Sequence, residues 1–102
     1  MVSKHYQNQR SEREKFIDEH FNSDYIVDEF VVDKGHPHGA ERHCITSDGI
    51  IIVYNLLSGK LVTKLIAREG QIKRYYYGTG RNPPSYLINL ARQHESLGYN
   101  NM

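Results

Sequence analysis

At 102 residues, 38% hydrophobic and 25% charged, the chain has the size and composition of one globular domain, with no need of metal or disulfide staples. Its single cysteine, Cys44, excludes an internal disulfide, and no apolar run approaches the roughly 20 residues of a membrane helix. Residues 1–10 hold no apolar signal-peptide segment, so the expected location is cytoplasmic.

The net charge of +1 hides an asymmetry. Residues 1–33 carry four basic and eight acidic side chains; residues 34–102 carry nine basic and four acidic. A basic half with interleaved tyrosines suits a phosphate backbone, and equally a positive surface that pairs with the negative half.

In chain order, residues 1–10 are polar and aperiodic and read as a disordered arm. Ser11, followed by Glu12 and Glu14, reads as a helix start, giving a short helix over Ser11–Phe21. Tyr25–Val32 follows as a strand whose two faces are interrupted by Asp28 and Glu29, the mark of a sheet edge or of a bent strand. Residues 33–39, with two glycines and a proline, form a loop. Glu41–Thr46 is the next strand, and Asp48-Gly49 turns it into Gly49–Asn55. There the run Ile50–Val53 is apolar on both faces, as a covered central strand requires. Leu61–Ala67 and Ile72–Tyr77 read as two further strands. Pro83-Pro84 then opens a helix carrying Leu87, Leu90, Ala91, His94 and Leu97 at helical spacing, stopped by Gly98. The expected fold is α+β: an N-terminal helix, an antiparallel meander of four to five strands, and a C-terminal helix in a single domain.

The densest polar cluster is His36, His38, Glu41 and His43. It reads either as a solvated loop running into a strand or as an acid–base site. Glu41 and His43 fall on one face of their strand, with Arg42 and Cys44 on the other. The cluster lacks zinc-site spacing and companion ligands, so neither bound metal nor cofactor is expected. RNA cleavage by internal transfer needs a base for the 2′-hydroxyl, an acid for the 5′-oxygen and a cation for the phosphorane. Glu41, His43, Arg68 and Arg74 supply those group types and are the candidate catalytic set. Lys64, Lys73, Tyr75 and Arg81 are the candidate nucleic-acid-binding set, a tyrosine beside an arginine being suited to stacking a base. The alternative for Lys73 and Arg74 is charged decoration of an edge strand.

The segment Asn55-Leu-Leu-Ser-Gly-Lys-Leu-Val-Thr63, with Glu41-Arg42-His43 upstream, resembles the hairpin of the small metal-independent ribonucleases that include barnase, colicin D and the RelE-type toxins. The resemblance spans residues 36–77. It implies an endoribonuclease-like, toxin-like domain of the kind carried by phages and other mobile elements, with a His/Glu/Arg site on the sheet and RNA, rather than DNA, as partner. The helix after the last strand departs from the barnase pattern. Two other classes stay open: a non-catalytic regulatory or inhibitory binder of nucleic acid or protein, and a homodimer pairing through an exposed strand.

Overall fold

The computed structural model describes residues 4–37 and 39–101, with side chains from residue 12 onward. Its elements are α1 (Lys4–His20), β1 (Ile26–Asp33), β2 (Ala40–Thr46), β3 (Ile50–Asn55), β4 (Leu61–Ile66), α2 (Glu69–Gly78), α3 (Ser85–Ser96) and a 3-10 turn at Tyr99–Asn101. The strands form one antiparallel meander in the order β1-β2-β3-β4, so the expected α+β architecture holds and β1 is an edge.

The strand β3 is central because its side chains are apolar in both directions. Ile51 and Val53 join Phe30, Ile45, Ile72, Tyr76 and Leu87 on the face covered by α2 and α3. Ile50 and Ile52 join Ile17, Cys44 and Ile66 on the face covered by α1. Each isoleucine taken out of water here contributes about 1.5–3 kcal/mol. The β2–β3 hairpin turns at Gly49, whose φ of +81° is open to glycine at no steric cost. A Cβ there would also lie 3.4 Å from His94 Cε1, which makes this turn a seat for α3.

Two expectations fail. The first helix starts at Lys4, not Ser11, so residues 4–10 belong to it rather than to a disordered arm; residues 1–3 lie outside the described residues. The stretch Lys4–His20 holds no glycine or proline and is rich in Lys, Gln, Arg and Glu, so nothing interrupts the helix at Ser11. The second failure is larger. Ile72–Tyr77 is not a fifth strand but most of α2. Three tyrosines in a row favour a strand by composition, yet Ile72 and Tyr76, one helical turn apart, are the two buried residues, and both enter the core. Glu69 in the first turn accepts from Lys73 one turn on (2.6 Å) and from Arg92 of α3 (2.7 and 3.1 Å). Those two cations hold its carboxyl at about 2 and tie α2 to α3.

Candidate active site

Strand periodicity places Glu41, His43 and Ile45 on the α2 side of β2, with Arg42 and Cys44 on the other. His43 lies between Phe30 of β1 and Val53 of β3 and is 7% exposed. At that depth a ring nitrogen without a partner is costly, and both are satisfied. His43 Nδ1 lies 2.6 Å from the Tyr75 hydroxyl, and Nε2 lies 3.0 Å from Glu41 Oε1. Burial pushes the Tyr75 hydroxyl up to about 12, so it keeps its proton at neutral pH and donates to Nδ1. Glu41, as a carboxylate, can only accept, so Nε2 presents a proton to it, and Nδ1 is the nitrogen that accepts from the Tyr75 hydroxyl. The result is an ordered chain, Tyr75 to His43 to Glu41, continued by Lys34, whose Nζ is 4.0 Å from the same carboxylate oxygen.

Tyr75 is aimed by α2 and fixed by stacking on Phe30, with ring centroids 5.2 Å apart. Phe30 also carries the Arg81 guanidinium over its ring at 5.2 Å. Arg81 in turn makes a two-pronged pair with Asp28 at 3.2 Å per contact. Burial alone would raise the Asp28 carboxyl; hydrogen bonds from Tyr76 and Arg81 outweigh it and hold the group below the usual range. The Tyr76 hydroxyl, which donates to Asp28 at 2.8 Å, is pushed up by burial and then by that carboxylate. Together these contacts pin the free edge of the sheet to α2.

Between α2 and the β1–β2 side of the sheet runs a cleft of about 580 Å³, lined by Lys34, His43, Arg74, Tyr75 and Arg81 among others. A volume of this order is usual for a ligand site. Arg74 is exposed on its rim and makes no ion pair among the described residues. Of the four expected catalytic residues, Glu41, His43 and Arg74 therefore come together. Arg68 does not: it precedes α2, donates from Nη2 to Asn100 O at 3.0 Å, and lines a separate hollow with Arg13.

The expected binding set is also divided. Tyr75 and Arg81 line the cleft. Lys64 is paired with Asp18 of α1 at 2.7 Å, on the far side of the sheet, and Lys73 is paired with Glu69. Neither Lys73 nor Arg74 lies on a strand, because the segment is helical. His36 is exposed in the β1–β2 loop and His38 lies outside the described residues. Lys34 and Arg13 were not singled out by sequence reasoning. Lys34 reaches Glu41 through the β1–β2 register, in which Asp33 stands opposite Ala40, a pairing visible only in the structure; for Arg13 no sequence signal exists. Among the described residues, no helix is long and apolar enough to cross a membrane.

Set against known proteins, the chain matches no family model, no curated protein and no solved structure.

Proposed function

We propose that this chain is a small RNA-acting domain that takes single-stranded RNA into the cleft beside α2 and cleaves it by internal phosphoryl transfer. The observation that carries this reading is the Tyr75–His43–Glu41 chain opening onto a cleft whose rim holds Arg74, unpaired among the described residues. A phenol with a pKa near 12 is a poor base by itself. Bonded to His43, however, it passes its own proton to Nδ1 as it accepts the one leaving the 2′-hydroxyl, and no free phenolate forms. Glu41 stabilises the imidazolium that results. The 2′-oxygen bonds to phosphorus, the bond to the 5′-oxygen breaks, and Arg74 faces the charge gathered on the phosphorane. In-line attack leaves the 5′-oxygen on the face of the phosphorus away from Tyr75, and Lys34, which also lines the cleft, is the ammonium assigned to give it a proton. Products are a 2′,3′-cyclic phosphate and a 5′-hydroxyl, and the protons balance once His43 gives its extra proton to solvent and Lys34 takes one back.

The resemblance to the barnase, colicin and RelE-type ribonucleases points the same way. A second reading, binding without cleavage, is favoured by the fact that both His43 ring nitrogens are already engaged. The two separate on a DNA oligomer holding one ribonucleotide. The proposal predicts a cut only on the 3′ side of that ribonucleotide, unaffected by EDTA, and none in the all-DNA control. Salt-sensitive binding of single-stranded RNA with no cut establishes the second reading. No binding to RNA or DNA removes both.

A further inference from the structure

On the other side of Gln71 from the cleft lies a hollow of about 170 Å³ lined by Arg13, Arg68, Gln71, Tyr99 and Asn100, with Leu65 and Ile66 at its base. Among the described residues it holds two guanidiniums and no acid. Arg13 Nη2 donates to Thr63 Oγ1 at 2.7 Å, and Arg68 Nη2 to Asn100 O at 3.0 Å. Each guanidinium has five N–H donors, so most remain available. Among the described residues, Arg13 Nε is buried without a partner, and so is Asn100 Oδ1. The Asn100 amide nitrogen is held by Ile66 O at 2.7 Å, which fixes the way that oxygen points. Buried donors and acceptors left over in this way are normally met by a partner. A partner offering acceptors to the two arginines and a donor to Asn100 Oδ1 would meet both of these atoms.

A phosphomonoester has that pattern: three terminal oxygens for the guanidiniums and, as the monoanion, one P–OH for Asn100 Oδ1. The volume is several times the ~30 Å³ of one water, ample for a tetrahedral oxyanion. Leu65 and Gln71 line both this hollow and the cleft, so the two share a wall. Arg68, Gln71 and Arg74 follow one another at three-residue intervals, about 9 Å along the axis from the first to the last. They form a polar path from hollow to cleft.

We infer that the Arg13–Arg68 hollow is a phosphomonoester pocket, which receives the terminal phosphate of the strand whose body lies in the cleft. The inference rests on the RNA reading for the strand, but the pocket's oxyanion chemistry is independent of it. The test compares one short RNA in three forms, 5′-phosphorylated, 3′-phosphorylated and unphosphorylated, bound to the His43→Ala chain so that no strand is cut. Inorganic phosphate is titrated separately, followed by backbone amide shifts at Gln71 and Asn100. One phosphorylated form should bind at least tenfold tighter than the unphosphorylated one. Arg68→Gln should erase that gain while leaving the unphosphorylated strand's affinity intact, and Arg74→Ala should weaken all three forms alike. Equal binding of the three forms with no amide shifts overturns the pocket and leaves the RNA reading standing. Phosphate-induced shifts, lost in Arg68→Gln, with no RNA bound in any form, keep the oxyanion pocket and overturn the strand in the cleft.

Discussion

The two faces of the sheet are built from the same four strands and differ in what covers them. Under α1, Ile17, Cys44, Ile50, Ile52 and Ile66 close into an apolar cluster, and the charges sit at its margin as Lys64–Asp18. Burial raises the Cys44 thiol there, which keeps it protonated and inert. Under α2 and α3, the core is as apolar around Ile51 and Leu87. Toward β1 and β2 it gives way to the Tyr75–His43–Glu41 chain and an open cleft. His43 and Cys44 are neighbours in sequence, yet one serves the wet face and the other the dry one. A single strand thus supplies chemistry and stability at alternate positions, and changes at the two sites should fail in different ways.

The largest expected contrast is between His43→Ala and Ile50→Ala. The first should lower RNA cleavage by about 10²–10⁴, the usual weight of an acid–base group. Its stability loss of about 1–3 kcal/mol comes from leaving Tyr75 and Glu41 unpaired. Ile50→Ala should cost about 2–5 kcal/mol of stability by opening a cavity, while cleavage per folded molecule stays at the wild-type level. Denaturant unfolding beside single-turnover kinetics separates the two. Equal activity losses in both would mean that the faces are not independent.

Tyr75→Phe sharpens the contrast within the wet face. It removes one hydroxyl and keeps the ring on Phe30, so it should cost about 1 kcal/mol of stability and reduce cleavage nearly as far as His43→Ala. Cleavage that survives this change would assign the proton transfer to a group other than the Tyr75 hydroxyl.

A smaller effect is expected from His94, at the join between α3 and the β2–β3 turn. It is buried, its Nδ1 has no partner among the described residues, and burial lowers its pKa, with Asp48 opposing in part. In the unfolded chain this imidazole takes a proton near pH 6.5, whereas in the folded chain it resists until lower pH. The unfolded state therefore binds more protons below that value, and stability should be full above pH 6.5 and decline as the pH falls. The Tm difference between pH 7.5 and pH 5 should shrink in His94→Phe. The carboxyls of Asp28 and Glu69, whose stabilising contribution is lost only at lower pH, do not interfere in this window.

The smallest is Lys64→Ala. Its pair with Asp18 lies at the solvent margin, so the change should cost at most ~1 kcal/mol and leave RNA affinity unaltered. A clear loss of RNA affinity would show that the α1 face also meets the strand.

The sheet was legible because β-branched runs and an Asp-Gly turn constrain strands locally. Ile50–Val53 could be central only by being covered on both sides, and Glu41 and His43 had to share a face. The helix α2 was not legible, because Tyr75, Tyr76 and Tyr77 carry strand propensity and only burial of Ile72 and Tyr76 against the finished sheet makes the segment helical. That one misreading also hid the site. Tyr75 meets His43 across 32 positions of chain, a contact with no local signature, and as a strand the same segment would have grouped Arg68 with Arg74 instead of setting them in separate hollows.

The central claim is that His43 acts through Tyr75 on RNA in the cleft. It is tested most directly by analysing the ends made from a short single-stranded RNA by the wild type and by His43→Ala, with binding measured on the same samples. The account predicts 2′,3′-cyclic phosphate and 5′-hydroxyl ends from the wild type, and no products from the variant at nearly unchanged affinity. Products of the same kind and rate from His43→Ala would contradict it.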